Sequence, residues 1–329
     1  CRSAADVLSR PAVLQEALQQ LHAAGAEQKA AAMLQSCRLE AKKASDAWSS
    51  ADSALSLLKQ SQAVQPLVLP CEGLTQLLGN ALRPGGAILE VCGLPGAGKT
   101  QFCMQLCAAA QIPLQLRPPG PSCEGDIAEA IYIDTEGSFV PRRYLQVCRA
   151  LLSERRAPQG AQLEAAQLEA VLRRLHVCRA YDATELYATI KQMGSFLKTR
   201  PRVRALVVDS IAFSFRHEMM DNTAQRARVL GDIAATLRSY GAEFGLVVVV
   251  TNHMTTRFDR GEEGSHWLAP ALGETWAHQP STQLRLERPT MSSEAPSRAT
   301  LTKSVEQAAG LCCLYCIEES GIRDFQRAR

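Results

Sequence analysis

Gly93-Leu94-Pro95-Gly96-Ala97-Gly98-Lys99-Thr100 follows the pattern G-x-x-x-x-G-K-S/T in full. The apolar run Ala87 to Cys92 precedes it, and a helical pattern with Cys103, Leu106, Cys107 and Ala110 on one face follows. Glycines placed this way let backbone N–H groups wrap a phosphate, and the helix N-terminus adds partial positive charge. Lys99 can bridge the β- and γ-phosphates of ATP, and the Thr100 hydroxyl can ligate magnesium. Magnesium also needs a carboxylate at the end of a neighbouring strand, and Ala205-Leu206-Val207-Val208 leads into Asp209. A hydrolase further needs a base to orient water, and Glu136 stands just past the strand pattern Ile131 to Asp134. Open α/β sheets bind ligands at the carboxyl ends of their strands, so Thr100, Asp209 and Glu136 are expected to converge. Taken singly, an ordinary glycine turn, a helix-capping acid and a turn acid remain alternatives.

The elements that must hold these groups alternate along the chain. Ala87 to Cys92, Ala130 to Asp134, Leu175 to Arg179, Ala205 to Asp209 and Leu246 to Thr251 are short apolar runs that read as buried strands. Between them, Thr100 to Ala110, Pro141 to Leu152, Ala161 to Leu175, Ala183 to Leu197 and Asn222 to Tyr240 show helical spacing. This alternation predicts an α/β core with a mainly parallel sheet and helices on both faces. Gln283 to Glu287, Ala299 to Lys303 and Leu311 to Ile317 read as antiparallel additions at one edge. Residues 1–60, rich in Ala, Leu, Gln, Glu and Lys, predict a small N-terminal helical domain. Residues 61–72, with a Gln, Pro and Val pattern, read as a linker with an edge strand, and residues 73–329 as the ATPase core.

At 329 residues the chain has room for one large core and a smaller attachment. Hydrophobic residues at 46% and charged residues at 21% argue against wholesale disorder. The apolar run Phe244 to Val250 is far short of the roughly 20 residues that span a bilayer, so a soluble intracellular protein without a membrane partner is expected. Twelve cysteines could form a disulfide framework, but most sit within apolar patterns and read as reduced, buried thiols, Cys312 and Cys316 among them. Cys313 and Cys316 have metal-site spacing, yet a strand would point them to opposite faces. A formal charge of +3 is too small to argue for nucleic acid by itself. Cys1, standing where Met is usual, suggests a fragment whose helical domain is truncated at its start.

The residues resemble the RecA-type recombinases, and within them the eukaryotic recombinase paralogues, the C member of that set most closely. Gly98-Lys99-Thr100-Gln101 with Cys103 to Leu106, Ile133 to Phe139, Val208 to His217, Thr251 to Thr256, Pro270 to His278 and Gly321 to Asp324 carry the resemblance. It implies a RecA-like P-loop ATPase fold that binds ATP and Mg2+. The nucleotide site would comprise Gly93, Leu94, Pro95, Gly96, Ala97, Gly98, Lys99, Thr100 and Gln101, with Arg143 stacking on adenine. Glu136 would be the catalytic glutamate and Asp209, with Thr100, a magnesium ligand. His253 takes the place of a glutamine that senses the γ-phosphate in most relatives, and a histidine can still donate from either ring nitrogen.

The resemblance also places two loops against DNA. The first, Arg216 to Arg228, holds Arg216, His217, Arg226 and Arg228; the second, Met254 to Pro270, holds Arg257, Arg260 and Trp267. Cations on phosphates and aromatics on bases suit binding to single strands. Lys303-Ser304 falls in a cap segment that lies over a neighbouring subunit's ATP, so Lys303 is a candidate interface residue. Trp48 to Ala51 faintly resembles a subunit-docking peptide. The implied function is a nuclear, DNA-dependent ATPase subunit that joins other recombinase paralogues in homologous recombination repair and junction processing on single-stranded and junction DNA. A non-catalytic ATP-binding assembly subunit, a helicase on the same core and a P-loop kinase remain rival readings.

Overall fold

Parallel strands covered on both sides must be apolar on both sides, and the central runs of this chain are. In the computed structural model, which describes residues 52–112, 127–154, 161–217, 223–258, 266–288 and 295–325, these runs form the middle of one sheet. The chain divides into two units between Val64 and Gln65. Of the first, helix α1 (Ala54–Ala63) is described, with Ser53 capping it through a bond from the Ser56 N–H at 3.1 Å. Most of the expected N-terminal helical domain, including Trp48 to Ala51, lies outside the described residues.

The second unit opens with α2 (Glu72–Leu78), β1 (Ile88–Gly93), α3 (Lys99–Gln111), β2 (Glu129–Asp134), α4 (Pro141–Glu154) and α5 (Ala161–Leu172). It continues with β3 (Leu175–Arg179), α6 (Ala183–Lys198), β4 (Val203–Asp209), α7 (Ile211–His217), α8 (Thr223–Phe244) and β5 (Val247–Phe258). It closes with β6 (His266–Pro270), α9 (Gly273–Ala277), β7 (Thr282–Glu287), β8 (Ser297–Lys303), β9 (Cys312–Glu318) and β10 (Gly321–Asp324). The sheet order is β10-β9-β8-β7-β1-β5-β4-β2-β3, with β6 paired to β5. From β7 to β3 every pairing is parallel, and β8, β9 and β10 add antiparallel strands at the other side, as the sequence predicts.

The period-2 geometry of strands sorts side chains between two cores. Leu89, Val91, Tyr132, Val207, Val247 and Val249 face Phe102, Leu106, Tyr144 and Leu151 of α3 and α4. Ile88, Ile133, Leu206, Val208, Val248 and Val250 face Leu186, Ile190, Leu230 and Leu237 of α6 and α8. Glu90 shares the second face and is fully buried there. Its carboxylate accepts bonds from Asn252 Nδ2 (2.7 Å), Trp276 Nε1 (2.7 Å) and Gln283 Nε2 (2.5 Å), which ties β1 to β5, α9 and β7.

Several expectations need correction. No edge strand forms in residues 61–70: α1 continues to Ala63, Leu67 makes one backbone bond to Leu82, and Leu69 and Cys71 are buried in the core. The expected linker is thus partly core, with the Leu69 N–H donating to Thr75 Oγ1 of α2 at 3.0 Å. Cys71, Cys92, Cys103, Cys107 and Cys148 are buried free thiols, but Cys312 is exposed and Cys316 only half-buried, since β9 lies in the outer, thinly covered part of the sheet. Met254 to Pro270 is less a loop than a ribbon: β5 runs on to Phe258 and β6 pairs back upon it. Among the described residues no helix is long and apolar enough to cross a membrane.

Asp324 shows how the outer strands lock to the start of the core. Its carboxylate accepts from the N–H groups of Glu72 (2.7 Å) and Gly73 (2.8 Å) and from Cys71 Sγ (3.2 Å), capping α2 from a distant part of the chain. Burial pushes its pKa up, but these donors outweigh burial and hold it below the usual carboxylate range. The stabilisation is therefore complete above pH about 4 and lost as pH falls through the depressed native value. Asp324→Asn should lower the melting temperature at pH 7, and the difference from wild type should shrink steadily on acidification.

Candidate nucleotide site

The turn between β1 and α3 owes its shape to glycine. Gly96 and Gly98 have φ of 78° and 98°, and a Cβ on Gly98 would sit 2.7 Å from Ile317 Cδ1 of β9. Gly93 meets the Leu286 carbonyl so closely that a Cβ there would lie 2.6 Å from its oxygen. The Lys99 ammonium is buried and turns back on its own loop, donating to the carbonyls of Gly93 (3.0 Å) and Leu94 (3.2 Å). Burial lowers its pKa, while the Glu136 and Asp209 carboxylates oppose the shift.

Asp209 ends β4 with its carboxylate fully engaged. Oδ2 accepts from Tyr132 Oη (2.6 Å), Thr100 Oγ1 (2.7 Å) and Ser138 Oγ (3.3 Å), and Oδ1 from Thr251 Oγ1 (2.5 Å). Glu136 stands two residues past the end of β2 and meets His253 of β5, with Nε2 and Oε1 2.5 Å apart. Burial raises the pKa of Glu136, but the bonds from His253 and Ser210 prevail and hold it low. Glu136 is thus a carboxylate near neutrality, able to accept a proton or a water hydrogen.

Arg143 on α4 spans three elements. Its Nε donates to Gln101 Oε1 (2.7 Å), Nη1 to the Glu319 carbonyl (2.6 Å) and Nη2 to the Glu318 carbonyl (2.6 Å). The edges of the guanidinium are occupied by these bonds. Lys99, Thr100, Gln101, Glu136, Arg143, Asp209 and His253 all line one cavity of about 830 Å³, together with Pro95, Gly96 and Gly98. Gly93 and Leu94 offer carbonyls to Lys99, and Ala97 accepts from Tyr315 Oη at 3.1 Å. The convergence expected from strand ends is therefore present.

The donor set fits a nucleoside triphosphate with magnesium. Gly96 has open space where a side chain would stand, an ammonium waits on weak carbonyl partners, and a hydroxyl and a carboxylate meet at 2.7 Å. Sequence reasoning missed Ser138, Gln146, Ile317 and Glu318, which also line the cavity. Tyr132 and Thr251 sit inside strand patterns and look like core residues. Ile317 and Glu318 belong to an antiparallel hairpin whose fold back over the phosphate turn has no local signal.

The candidate DNA residues fall differently. Arg226 and Arg228 are on the first turns of α8, not in a loop, because Thr223 to Leu230 is a run with strong helical pattern; Arg226 is half-buried and Arg228 exposed. Arg216 and His217 close α7, and Arg257 lies opposite Trp267 in the β5–β6 ribbon. Arg260 is outside the described residues. Lys303 ends β8, but its ammonium is held within its own chain by the carbonyls of Ala277 (2.9 Å) and Pro280 (2.7 Å). Reaching a neighbouring subunit would require breaking both bonds.

A lysine at position 143 could satisfy one carbonyl where the arginine fork, which also reaches Gln146 Oε1 at 3.3 Å, serves four partners. Arg143→Lys should therefore speed hydrogen exchange in the 318–321 turn and weaken ATP affinity by at least about tenfold, since more than one charge-assisted bond is lost. Exchange by mass spectrometry and a fluorescent-nucleotide titration measure the two effects.

Comparison with known proteins places this arrangement. The sequence model of the Rad51 family matches residues 60–325. The DNA repair protein RAD51 homolog 3 of Cricetulus griseus is 35% identical over 240 residues, covering 70% of this chain and 62% of the relative. Its namesake from Dictyostelium discoideum is 33% identical and covered over 58% of its length, so the chain spans about three fifths of these two relatives. The DNA repair protein XRCC3 of Mus musculus is 32% identical over 82% of this chain and 80% of its own. Among solved structures, the RadB recombinase superposes with a TM-score of 0.58 over 79% of this chain and 100% of that one, at 23% identity, a likeness of fold. With a RecA-like core, a phosphate turn at the head of α3 and a family match over most of its length, the chain belongs to the Rad51 family.

Proposed function

We propose that the chain is an ATP-binding, DNA-dependent ATPase subunit of a recombinase paralogue complex. It would serve homologous recombination repair of DNA breaks and the processing of DNA junctions, in the nucleus. The observation that carries the reading is the meeting of Lys99, the Thr100–Asp209 pair, Glu136 and His253 in one cavity at the strand ends. The DNA repair names of its relatives supply the biological setting.

In this reading the backbone of Gly96 and Gly98 binds phosphate oxygens, and Lys99 exchanges its two carbonyl partners for them. Thr100 and Asp209 hold Mg2+, which neutralises phosphate charge when bound. Gln101 and Arg143 fix the base end of the site. Glu136 orients a water, and for this its Oε1 must share or release the bond with His253. His253 lies four residues before Arg257 on the same strand, so the group that faces Glu136 and the ribbon assigned to DNA move together. Arg216, Arg226, Arg228, Arg257 and Arg260 contact the sugar-phosphate backbone of single strands and junctions. Other paralogues are the partners, with Lys303 on the shared face once its own carbonyls release it.

Lys99→Ala should abolish ATP binding with little loss of fold, because backbone geometry shapes the turn and the ammonium serves the phosphates. A fluorescent-nucleotide titration beside a thermal melt checks this, and unchanged affinity would sink the site. Replacing Arg257 and Arg260 together by Ala should lower the slope of log K against log salt for single-stranded DNA by about two units. An unaltered slope would show that the ribbon does not follow the backbone.

A further inference from the structure

Glu136 stands on a loop that is shaped from below by a buried acid. Asp134 Oδ1 accepts the N–H groups of Glu136 (3.1 Å), Gly137 (2.8 Å) and Ser138 (3.2 Å), and Oδ2 accepts that of Phe139 (3.3 Å). One carboxylate thus organises four successive amides, and the direction in which Glu136 leaves the loop follows from how that carboxylate is turned. Its second oxygen is held by Arg179 Nη1 at 2.9 Å. Arg179 is the last residue of β3, the outermost parallel strand, and is the register partner of Asp134.

The arginine is itself held in place. Its guanidinium lies over the Tyr181 ring, 5.3 Å from the centroid. On the loop side it packs against Gly137, whose φ is 74°, so tightly that a Cβ there would fall 2.3 Å from Nη2. The Asp134 side chain is 5% exposed and that of Arg179 39%, whereas the Arg173–Glu169 pair is 77% and 64% exposed. Water and salt screen the latter pair almost fully and the Asp134 end of the former very little. The bond therefore constrains the loop in a way that a surface ion pair does not.

We propose that Arg179 is a positioning residue for Glu136: through Asp134 it fixes the turn that aims the glutamate at the nucleotide cavity, and so places the reactive loop under the control of the sheet's outermost parallel strand. The inference rests on the reading of Glu136 as the hydrolytic group. Hydrolysis is sensitive to displacements of about 1 Å in a group that orients water, whereas Lys99 and Thr100 reach the phosphates from α3 and touch the Asp134 loop only through the Ser138 hydroxyl.

The test uses the full chain as wild type, Arg179→Ala, Arg179→Lys and Glu136→Gln, with thermal melts to confirm folding. Hydrogen exchange is followed by mass spectrometry on peptides spanning 134–140, and single-turnover hydrolysis of Mg2+-ATP is followed with single-stranded DNA present. Arg179→Ala should exchange the 136–139 amides about tenfold faster, consistent with one lost charge-assisted bond. It should bind ATP as wild type does and hydrolyse it about tenfold more slowly. Arg179→Lys, which can still reach one oxygen, should recover part of both effects. Unchanged protection in Arg179→Ala overturns the proposal, and so does loosened protection with a wild-type hydrolysis rate. If wild type hydrolyses no faster than Glu136→Gln, the hydrolytic role of Glu136 fails, and the exchange result alone decides whether Arg179 orders the loop.

Discussion

The Asp209 carboxylate is the point on which the site depends. It accepts hydroxyls from Thr100 on α3, Tyr132 on β2, Ser138 on the loop after β2 and Thr251 on β5. A buried anion with too few donors would be costly, so the four elements must come together for β4 to end where it does. The same requirement fixes the spacing between the phosphate turn and the Glu136 loop. The apolar layers on either side of the sheet supply the driving force, and the donors gathered around Asp209 offset the cost of burying its charge.

A second polar system governs the far side of the cavity. Arg143 binds the Glu318 and Glu319 carbonyls, Tyr315 donates to the Ala97 carbonyl, and Ile317 rests on Gly98. The antiparallel hairpin β9–β10 is thus a wall of the nucleotide site as well as an edge of the sheet. Lys303, between Ala277 and Pro280, and Glu90, between Asn252, Trp276 and Gln283, brace the strands from which that wall is hung.

Much of this was legible in the sequence, and the boundary follows physical lines. The parallel strands and their helices declare themselves because burial on both faces demands continuous apolar runs such as Leu206 to Val208. The phosphate turn is legible because its backbone needs glycine at fixed points. Asp209 and Glu136 are legible because they interrupt apolar patterns at strand ends. Asp134 occupies an equally visible strand end, but its task is to bind four amides, and nothing in one sequence separates an acid that binds backbone from one that binds metal. Arg143 was placed by resemblance, while its carbonyl partners depend on a hairpin more than 170 residues away. For Arg226 and Arg228 family likeness points to a loop, while the helical pattern that begins at Thr223 carries them into α8.

Strand β5 is continuous from Val247 to Phe258, paired first with β1 and β4 and then with β6. Its first half is clamped by neighbours on both sides, and its second half projects as a two-stranded arm. A slip along the strand axis by one residue would turn Thr251 away from Asp209 and His253 away from Glu136 and invert the apolar faces of Val247 to Val250. Axial sliding is therefore forbidden to this arm. The pairing passes from β1 to β6 between His253 and Met254, so the residue that faces Glu136 is the last one the main sheet clamps and the arm begins at the next.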